Sequence, residues 1–240
     1  MTNSFGEFAK AKMFLVIGSN MTEAHPVAAT FLKNAVMNGA KLILVDPRKQ
    51  PLADFADLFV QIKVGSDIAF LNAVMNVLIT EDLYDKEYVK NRTLGFDEFK
   101  RYILGEVDGQ PKTPEWAEAE STVKARVIRA LAREWAAKRT VLSGGARGGE
   151  GGACRTAYGT EWARMMVLLQ AMQGLGKPGR TIWGTTMGAP SDTDLWFPAY
   201  ADLQGRMATA KVADFLPINP TKQRLWRLTL PDAILNPPVS

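Results

Sequence analysis

Residues Met13–Ser19 read MFLVIGS, and this stretch decides the fold class of the chain. It is a short apolar run rich in β-forming residues, which is typical of a parallel strand buried on both faces. The run breaks at Gly18–Asn20, and from His25-Pro26 apolar residues recur at helical spacing until Asn38-Gly39. Proline in the first turn and glycine just past the last are start and stop signals of a helix. The sequence therefore predicts a strand followed by a helix.

Two further apolar runs extend this pattern. Lys41–Val45 reads KLILV and Leu58–Ile62 reads LFVQI, which predicts a second and a third strand. Strand, helix and strand at this spacing form a βαβ unit with a right-handed crossover in a parallel sheet. A second helix is predicted from about Ser66 to Ile79. We therefore expect an α/β fold with a Rossmann-like parallel sheet between flanking helices, in three layers.

The rest of the chain is predicted to be mostly helical at first. Residues 85–140 have helical character, with the longest segment from Val123 to Lys138, and Val141–Ser143 has the character of a strand. A helix spanning Trp162 to Met172 follows, whereas residues 201–240 show no pattern that would bury a face alone. We predict a Rossmann-like lobe over residues 1–138, and part of a second α/β lobe with an extended tail over residues 139–240.

The composition excludes several classes of protein. With 47% hydrophobic and 22% charged residues the chain is globular, and a net charge of +4 without a dense basic block argues against nucleic acid as a partner. Cys154 and His25 are its one cysteine and one histidine, so it cannot hold an internal disulfide or an iron–sulfur cluster alone. It lacks the roughly 18-residue apolar run of a membrane segment. We expect a cytoplasmic location.

The turn after the first strand is the first candidate site. It would bring backbone N–H groups and a helix N-terminus together at Gly18, Ser19 and Asn20, which suits pyrophosphate because both favour negative charge. His25 would fix this turn or donate to phosphate. Gly-Ser-Asn is not the GxGxxG fingerprint, so a purely structural turn is the alternative.

Two carboxylates are predicted at the same edge of the sheet. Asp46 ends the second strand, where an acidic residue commonly holds a ribose diol, and Arg48 beside it would pair with phosphate or with a carboxylate. Asp67 follows Gly65-Ser66 at a helix start, where a carboxylate would accept the N1–H and N2–H of guanine; adenine offers no such pair. The alternatives are a turn aspartate before Pro47 and helix capping by Ser66 or Asp67.

The glycine-rich turn Gly144–Gly152 is the last candidate. Its exposed main chain at Gly144 and Gly145 would let a flat cofactor pack closely, with Arg147 and Arg155 supplying positive charge. A surface loop is the alternative.

Three of these segments together resemble the large subunit of molybdopterin enzymes of the dimethyl sulfoxide reductase family, most of all its formate dehydrogenase and nitrate reductase branches. The matching segments read VIGSNMTEAHP from Val16, VDPRK from Val45 and GSDIA from Gly65. In that family these segments hold the guanosine diphosphate arm of molybdopterin guanine dinucleotide.

The second half is similar to the pyrogallol–phloroglucinol transhydroxylase and resorcinol hydroxylase branch. The matching segments include GGACR from Gly151, EWAR from Glu161, GKPG from Gly176 and FPAY from Phe197. In that branch the tyrosine of the Phe-Pro-x-Tyr segment reaches the substrate near molybdenum, so the resemblance assigns Tyr200 as the catalytic residue. The alternative is a tyrosine packed under the tail.

The resemblance also implies a cofactor and partners. The cofactor is expected to be molybdopterin guanine dinucleotide with molybdenum or tungsten, and any iron–sulfur cluster is expected elsewhere in the parent or in a partner subunit. The residues expected to contact the cofactor are Gly18, Ser19, Asn20, Glu23, His25, Asp46, Pro47, Arg48, Gly65, Ser66, Asp67, Gly144 and Gly145.

Large subunits of this family extend well beyond both ends of the matching region. We therefore expect a middle fragment, inactive alone, whose partners are the missing N- and C-terminal parts, an iron–sulfur electron-transfer subunit and a small-molecule substrate. The parent would hydroxylate or transfer hydroxyl on a phenolic ring in anaerobic metabolism, or act as a formate dehydrogenase or another reductase of the family. A non-catalytic guanine-nucleotide-binding module and a gene remnant are the alternatives from other classes.

Overall fold

A computed structural model describes residues 5–143, 153, 156–183 and 235 of the 240-residue chain. The chain divides into two units, Met1–Pro190 and Ser191–Ser240, and the fold described here lies in the first. The strands are β1 (Met13–Ile17), β2 (Lys41–Asp46), β3 (Leu58–Gln61), β4 (Thr140–Ser143) and β5 (Thr181–Trp183). The α-helices are α1 (Met21–Ala24), α2 (Pro26–Met37), α3 (Asp67–Thr80), α4 (Lys86–Arg92), α5 (Phe96–Ile103), α6 (Pro114–Ser121), α7 (Ala125–Ala137) and α8 (Gly159–Gln173).

The strands form one parallel sheet in the order β3-β2-β1-β4-β5. β1 is central, with Met13 opposite Lys41 of β2 on one side and opposite Thr140 of β4 on the other. The strand order reverses between β1 and β4, and a parallel sheet opens a ligand-binding crevice at the carboxyl ends of the strands where this happens. The predicted α/β class with a Rossmann-like parallel sheet is confirmed.

Two helical layers cover the sheet. Because successive side chains of a strand point to opposite faces, Met13, Leu15 and Ile17 enter one apolar cluster, and Phe14 and Val16 enter another. The first cluster includes residues of α3 and of α5 to α8. The second includes residues of α2 and of two 3-10 helices, Phe5–Lys10 and Pro51–Phe55. The predicted three-layer arrangement is therefore confirmed.

Helix α3 positions the far end of the site. Five residues separate the end of β3 at Gln61 from the start of α3 at Asp67, and α3 packs against α5, α6, α7 and α8. Every residue from Phe70 to Ile79 is buried, as expected for a helix surrounded by protein on all sides. This packing holds its first residue, Asp67, at the carboxyl edge of the sheet.

Two buried glutamines attach α8 to β4. Gln173 accepts a hydrogen bond from the Thr140 backbone N–H (2.9 Å) and donates to the backbone oxygens of Trp135 (2.5 Å) and Lys138 (2.7 Å). Gln170 donates one hydrogen bond, to the Thr140 backbone oxygen (2.9 Å), and its own side-chain oxygen is buried without a partner among the described residues. The two side chains therefore differ in how completely their polar atoms are paired.

Two elements of the structure were not predicted. The predicted helix from His25-Pro26 to Asn38-Gly39 is present as α2, whereas the four-residue helix α1 before it was not predicted. β5 was not predicted either, since its three residues precede a stretch rich in glycine and proline. Within the described part of residues 139–240, β4 and β5 belong to the same sheet as β1 to β3, and α8 belongs to its helical layer.

The division of the chain into two lobes at residue 138 stays a prediction.

In the part of the chain that the structure describes, none of the helices has the length and apolar character needed to cross a bilayer.

Candidate functional site

The turn after β1 is tied to the neighbouring strand. Gly18 has a left-handed backbone (φ 58°), a conformation that glycine adopts without steric cost, and its N–H donates to the Val45 oxygen at 2.8 Å. Ser19 follows and is buried. The shape of this turn therefore depends on Gly18 itself and on its bond to the end of β2.

Asn20 and Glu23 contact each other in the short helix that follows. The Asn20 side-chain amide donates to Glu23 Oε2 at 2.5 Å, and the Thr22 hydroxyl donates to Asn20 Oδ1 at 3.3 Å. His25 is half-buried at the junction of α1 and α2, where its backbone N–H donates to the Met21 oxygen. Since the first N–H groups of a helix lack partners within the helix, this segment offers donors to an anion.

Gln50 links two of the predicted segments, and sequence reasoning missed it. Its side chain is buried and its Nε2 donates both to the Ser19 backbone oxygen (3.0 Å) and to Asp46 Oδ2 (2.7 Å). Asp46 Oδ1 accepts from the Arg48 N–H at 2.8 Å. This last bond is that of an Asx turn, so Asp46 shapes the turn before Pro47 while it remains available, through its other lone pairs, to a ligand.

Asp67 is a buried carboxylate at the first position of α3. Burial raises its pKa above the usual value, its own backbone N–H lowers it, and the negative charge of Asp46 raises it further. Among the described residues no other group donates a hydrogen bond to Asp67. Ser66 does not cap the helix, because its hydroxyl donates to the Lys63 oxygen (2.6 Å) instead.

This state of Asp67 is unfavourable for the isolated chain. A buried charge is normally paired or hydrogen-bonded, and carboxylates with a shifted pKa are more frequent at functional sites than elsewhere. Because the charge of Asp46 acts on Asp67, the carboxylates expected to bind ribose and guanine lie within electrostatic range of each other. The structure thus brings together Ser19, Asp46 and Asp67.

Other predicted residues lie at the margin of this group. Arg48 and Gly65 are exposed, and the backbone oxygen of Pro47 accepts from the Gln61 side chain at 3.2 Å. β4 ends at Ser143, opposite Val16 of β1, so Gly144 and Gly145 follow a strand that neighbours the Gly18 turn in the sheet. Gly144 and Gly145 themselves, Arg147, Cys154, Arg155 and Tyr200 lie outside the described residues.

The described groups suit a nucleotide better than a bare metal ion. Within residues 5–143, 153, 156–183 and 235, no group of three or more His, Cys, Asp or Glu side chains could hold a metal ion. The carboxylates of Asp46 and Asp67 can accept hydrogen bonds from hydroxyl and amine groups, and the turn offers backbone donors at Ser19 and Asn20. Within the described part of the chain, Asp67 receives no hydrogen bond from outside its own residue, so it fits the guanosine end of the implied cofactor.

Comparisons with known proteins agree with this reading of the fold. The chain is 49% identical over 165 residues to the pyrogallol hydroxytransferase large subunit of Pelobacter acidigallici, covering 68% of this chain and 19% of that protein. It is 38% identical over 180 residues to formate dehydrogenase H of Escherichia coli (strain K12), covering 74% of this chain and 24% of that protein. The chain thus spans about a fifth to a quarter of these relatives.

A solved structure and a family match extend the comparison. Acetylene hydratase from Pelobacter acetylenicus is similar with a TM-score of 0.62 and 27% sequence identity, over 72% of this chain and 23% of that one. Residues 1–218 match the family described as molybdopterin oxidoreductase. This chain belongs to the molybdopterin oxidoreductase family.

Proposed function

We propose that this chain holds the guanosine diphosphate arm of molybdopterin guanine dinucleotide, in the catalytic subunit of a molybdenum or tungsten oxidoreductase. The observation that carries the proposal is the buried carboxylate of Asp67, which has no donor outside its own residue among the described residues and lies close enough to Asp46 for the two charges to interact. A guanine ring supplies the paired N–H donors that such a carboxylate accepts.

Each predicted residue has a place in this proposal. Asp67 accepts the guanine N1–H and N2–H, and Asp46 accepts a ribose hydroxyl. The backbone N–H groups of Ser19 and Asn20 donate to the phosphates, away from the two carboxylates that would repel them. Gly18, whose own N–H is bonded to the Val45 oxygen, lets the phosphates approach the turn closely.

The remaining residues support these contacts. Glu23 orients Asn20 through their hydrogen bond, and His25 and Arg48 supply further donors to phosphate. Pro47, Gly65 and Ser66 shape the loops. Gly144 and Gly145 offer main chain on which the flat ring system packs. The bound cofactor supplies redox chemistry at its metal, and these residues bind and orient it.

A binding experiment on the 240-residue chain tests the site. Isothermal titration should detect GDP binding and a weaker response to ADP, which lacks the paired donors. Asp67→Ala should weaken GDP binding by more than about tenfold, since a hydrogen bond to a charged group contributes roughly 1.5–3 kcal/mol. Asp97→Ala, which removes an exposed carboxylate in α5, is the matched control and should leave binding unchanged. Equal affinities of the wild type and Asp67→Ala would remove guanine from the proposal.

We further propose that this chain is a middle part of a larger catalytic subunit, acting with the remaining parts of that subunit, an iron–sulfur electron-transfer subunit and a small-molecule substrate in the cytoplasm. The 49% identity to a pyrogallol hydroxytransferase favours hydroxylation or hydroxyl transfer on a phenolic ring. Tyr200 would then exchange a proton or hydrogen-bond with the hydroxylated ring. The 38% identity to formate dehydrogenase H supports a formate dehydrogenase-like reaction as the second candidate.

Two measurements test whether the chain belongs to a catalytic subunit and whether Tyr200 takes part in its reaction. A polypeptide several times longer than 240 residues, isolated from its source with about one molybdenum or tungsten per chain, is the result expected for a catalytic subunit. A metal-free chain of 26.4 kDa would instead favour a nucleotide-binding module or a gene remnant. In the full-length parent, Tyr200→Phe should reduce turnover and leave the cofactor content unchanged; full turnover would exclude Tyr200 from the reaction.

A further inference from the structure

A cavity lies among α3, α5, α6 and α8, apart from the Asp46–Asp67 pair. Its volume is about 650 Å³, and neither Asp46 nor Asp67 lines it. Four aromatic side chains line it, together with aliphatic residues of α3 and α8; the aromatic residues are Phe99, Tyr102, Trp116 and Tyr158. Cavities of roughly 300–1,000 Å³ with apolar walls and a few polar groups are typical of small-molecule sites.

One of the residues that line this cavity carries an unsatisfied polar atom. Asn72 of α3 is 1% exposed, its Nδ2 donates to the Tyr102 hydroxyl at the long distance of 3.5 Å, and its Oδ1 has no partner among the described residues. A buried carbonyl oxygen without a donor is unfavourable, and a bound molecule is one of the few features that satisfy it. Asn72 therefore calls for a ligand that donates an N–H or O–H group.

Asn76, one turn further along α3, provides a comparison. It is also buried, but its Nδ2 donates to the Ile103 backbone oxygen at 3.4 Å and it does not line the cavity. The two asparagines share a helix and a degree of burial, so they differ mainly in whether a ligand in the cavity could contact them.

Charged side chains at the cavity also include an unpaired acceptor. Glu120 is exposed and forms no ion pair or hydrogen bond within the described part of the chain, whereas Glu161 is paired with Arg164 at 2.8 Å. Aromatic walls pack well against flat rings, and the unpaired acceptors of Asn72 and Glu120 match amino or ring N–H groups. The shared chemistry is that of an amino-substituted heteroaromatic ring.

We propose that this cavity binds a planar heteroaromatic ring of nucleobase size, which lies among the aromatic side chains and donates an amino or ring N–H group to Asn72 Oδ1. The cavity includes Gly65 and Ser66 of the loop before α3, whereas Asp46 and Asp67 do not line it. The ring site is therefore proposed as separate from the Asp67 carboxylate, and the experiment below tests this separation.

A matched pair of ligands tests the proposal on the 240-residue chain. 9-Methyladenine carries an amino group, and 9-methylpurine has the same ring without any N–H donor. In saturation-transfer NMR titrations, 9-methyladenine should bind about tenfold more tightly than 9-methylpurine, as expected for one hydrogen bond to an otherwise unpaired buried acceptor. Asn72→Leu should abolish this preference, and Asn76→Leu should retain it.

A second variant covers the case in which Asn72→Leu does not fold. Leu168→Trp places a larger side chain in the α8 wall of the cavity without changing Asn72 or the loop before Asp67, and it should weaken binding of both ligands while GDP binding at Asp67 is unchanged. Circular dichroism checks the fold of each variant.

Three results would overturn the proposal: equal affinity for the two purines, an intact preference in folded Asn72→Leu, or no binding at about 10 mM ligand. Loss of 9-methyladenine binding in folded Asp67→Ala would assign the ring to the Asp67 site and would also overturn it. Failure of the chain to bind GDP, with purine binding intact, would count against the proposed function alone.

Discussion

Replacing Gln50 with leucine should separate the two loops of the proposed site. The variant loses the hydrogen bonds to Asp46 Oδ2 (2.7 Å) and to the Ser19 oxygen (3.0 Å). The bond to the carboxylate contributes about 1.5–3 kcal/mol and the bond to the neutral oxygen about 1 kcal/mol. The variant also removes the buried Oε1, which has no partner within the described residues, and this offsets about 1–3 kcal/mol of the loss. We therefore expect a change of only about 1 kcal/mol in the free energy of unfolding.

The effect of Gln50→Leu on binding should be larger and should act through Asp46. In the variant, Asp46 keeps only the Arg48 N–H, so its carboxylate is less well oriented toward a ribose hydroxyl. We expect a loss of about 1.4 kcal/mol in the free energy of GDP binding, which corresponds to a tenfold weaker affinity. The affinity for 2′,3′-dideoxy-GDP, which has no ribose hydroxyl for Asp46 to accept, should change little.

A double-mutant cycle measured by isothermal titration checks this reasoning. Gln50→Leu should weaken GDP binding in the wild-type background and have no effect in an Asp46→Ala background, because the interaction energy of such a cycle isolates the pair. Gln61→Leu is the control, since this exposed glutamine bonds only to the nearby Pro47 oxygen. The same loss of affinity in both backgrounds would refute the claim that Gln50 acts by orienting Asp46.

Three further predictions concern stability. In urea denaturation, Gln173→Leu should lower the free energy of unfolding by about 3 kcal/mol, about 1 kcal/mol for each of its three hydrogen bonds. Gln170→Leu should lower it by less than about 1 kcal/mol, because it loses one bond and also removes an oxygen without a partner among the described residues. Equal losses in the two variants would contradict this difference in pairing. Because burial raises the pKa of Asp67, the folded chain binds its proton more tightly than the unfolded chain, so the wild type loses stability as the pH rises from about 3.8 through the folded pKa. Asp67→Asn should therefore be more stable than the wild type at pH 7, by a margin that shrinks as the pH is lowered toward 4; a margin independent of pH would count against the burial of a charge here. Gly179→Ala should lower the thermal midpoint more than Gly176→Ala, because both have positive φ but only at Gly179 does a Cβ meet backbone, at 2.6 Å from the Lys10 oxygen; a larger effect at Gly176 would reverse the argument.

Apolar runs made most of the fold predictable. β1 and β2 are continuous apolar runs bounded by turn residues, and the helices α3 and α8 are long segments with apolar residues at helical spacing, so each shows in the sequence. β5 has three residues, too few to show a period, and it exists because β4 leaves an edge that it pairs. Helix α1 was missed because its four residues are about one turn, too few to show a helical period.

The site was predictable only where a residue stands at the end of a strand or the start of a helix. Asp46 and Asp67 could be found because the carboxyl ends of parallel strands meet at one edge. Gln50 could not, since a single glutamine between a lysine and a proline carries no pattern, and its role follows from a contact with Ser19 across the turn. The cavity around Asn72 was also invisible, because its walls come from helices distant in sequence.

The central place of β1 has a consequence for synthesis of the chain. β1 pairs at once with β2, but the register joins its other edge to Thr140, so that edge stays open until β4 has been made. At about 5–20 residues per second, the ribosome needs on the order of 10 s to produce the chain between them. During that interval a nascent chain presents an apolar, unpaired strand edge, the kind of surface that leads to aggregation. Mutations that delay the docking of β4 should therefore lower the yield of soluble protein more than their effect on equilibrium stability implies.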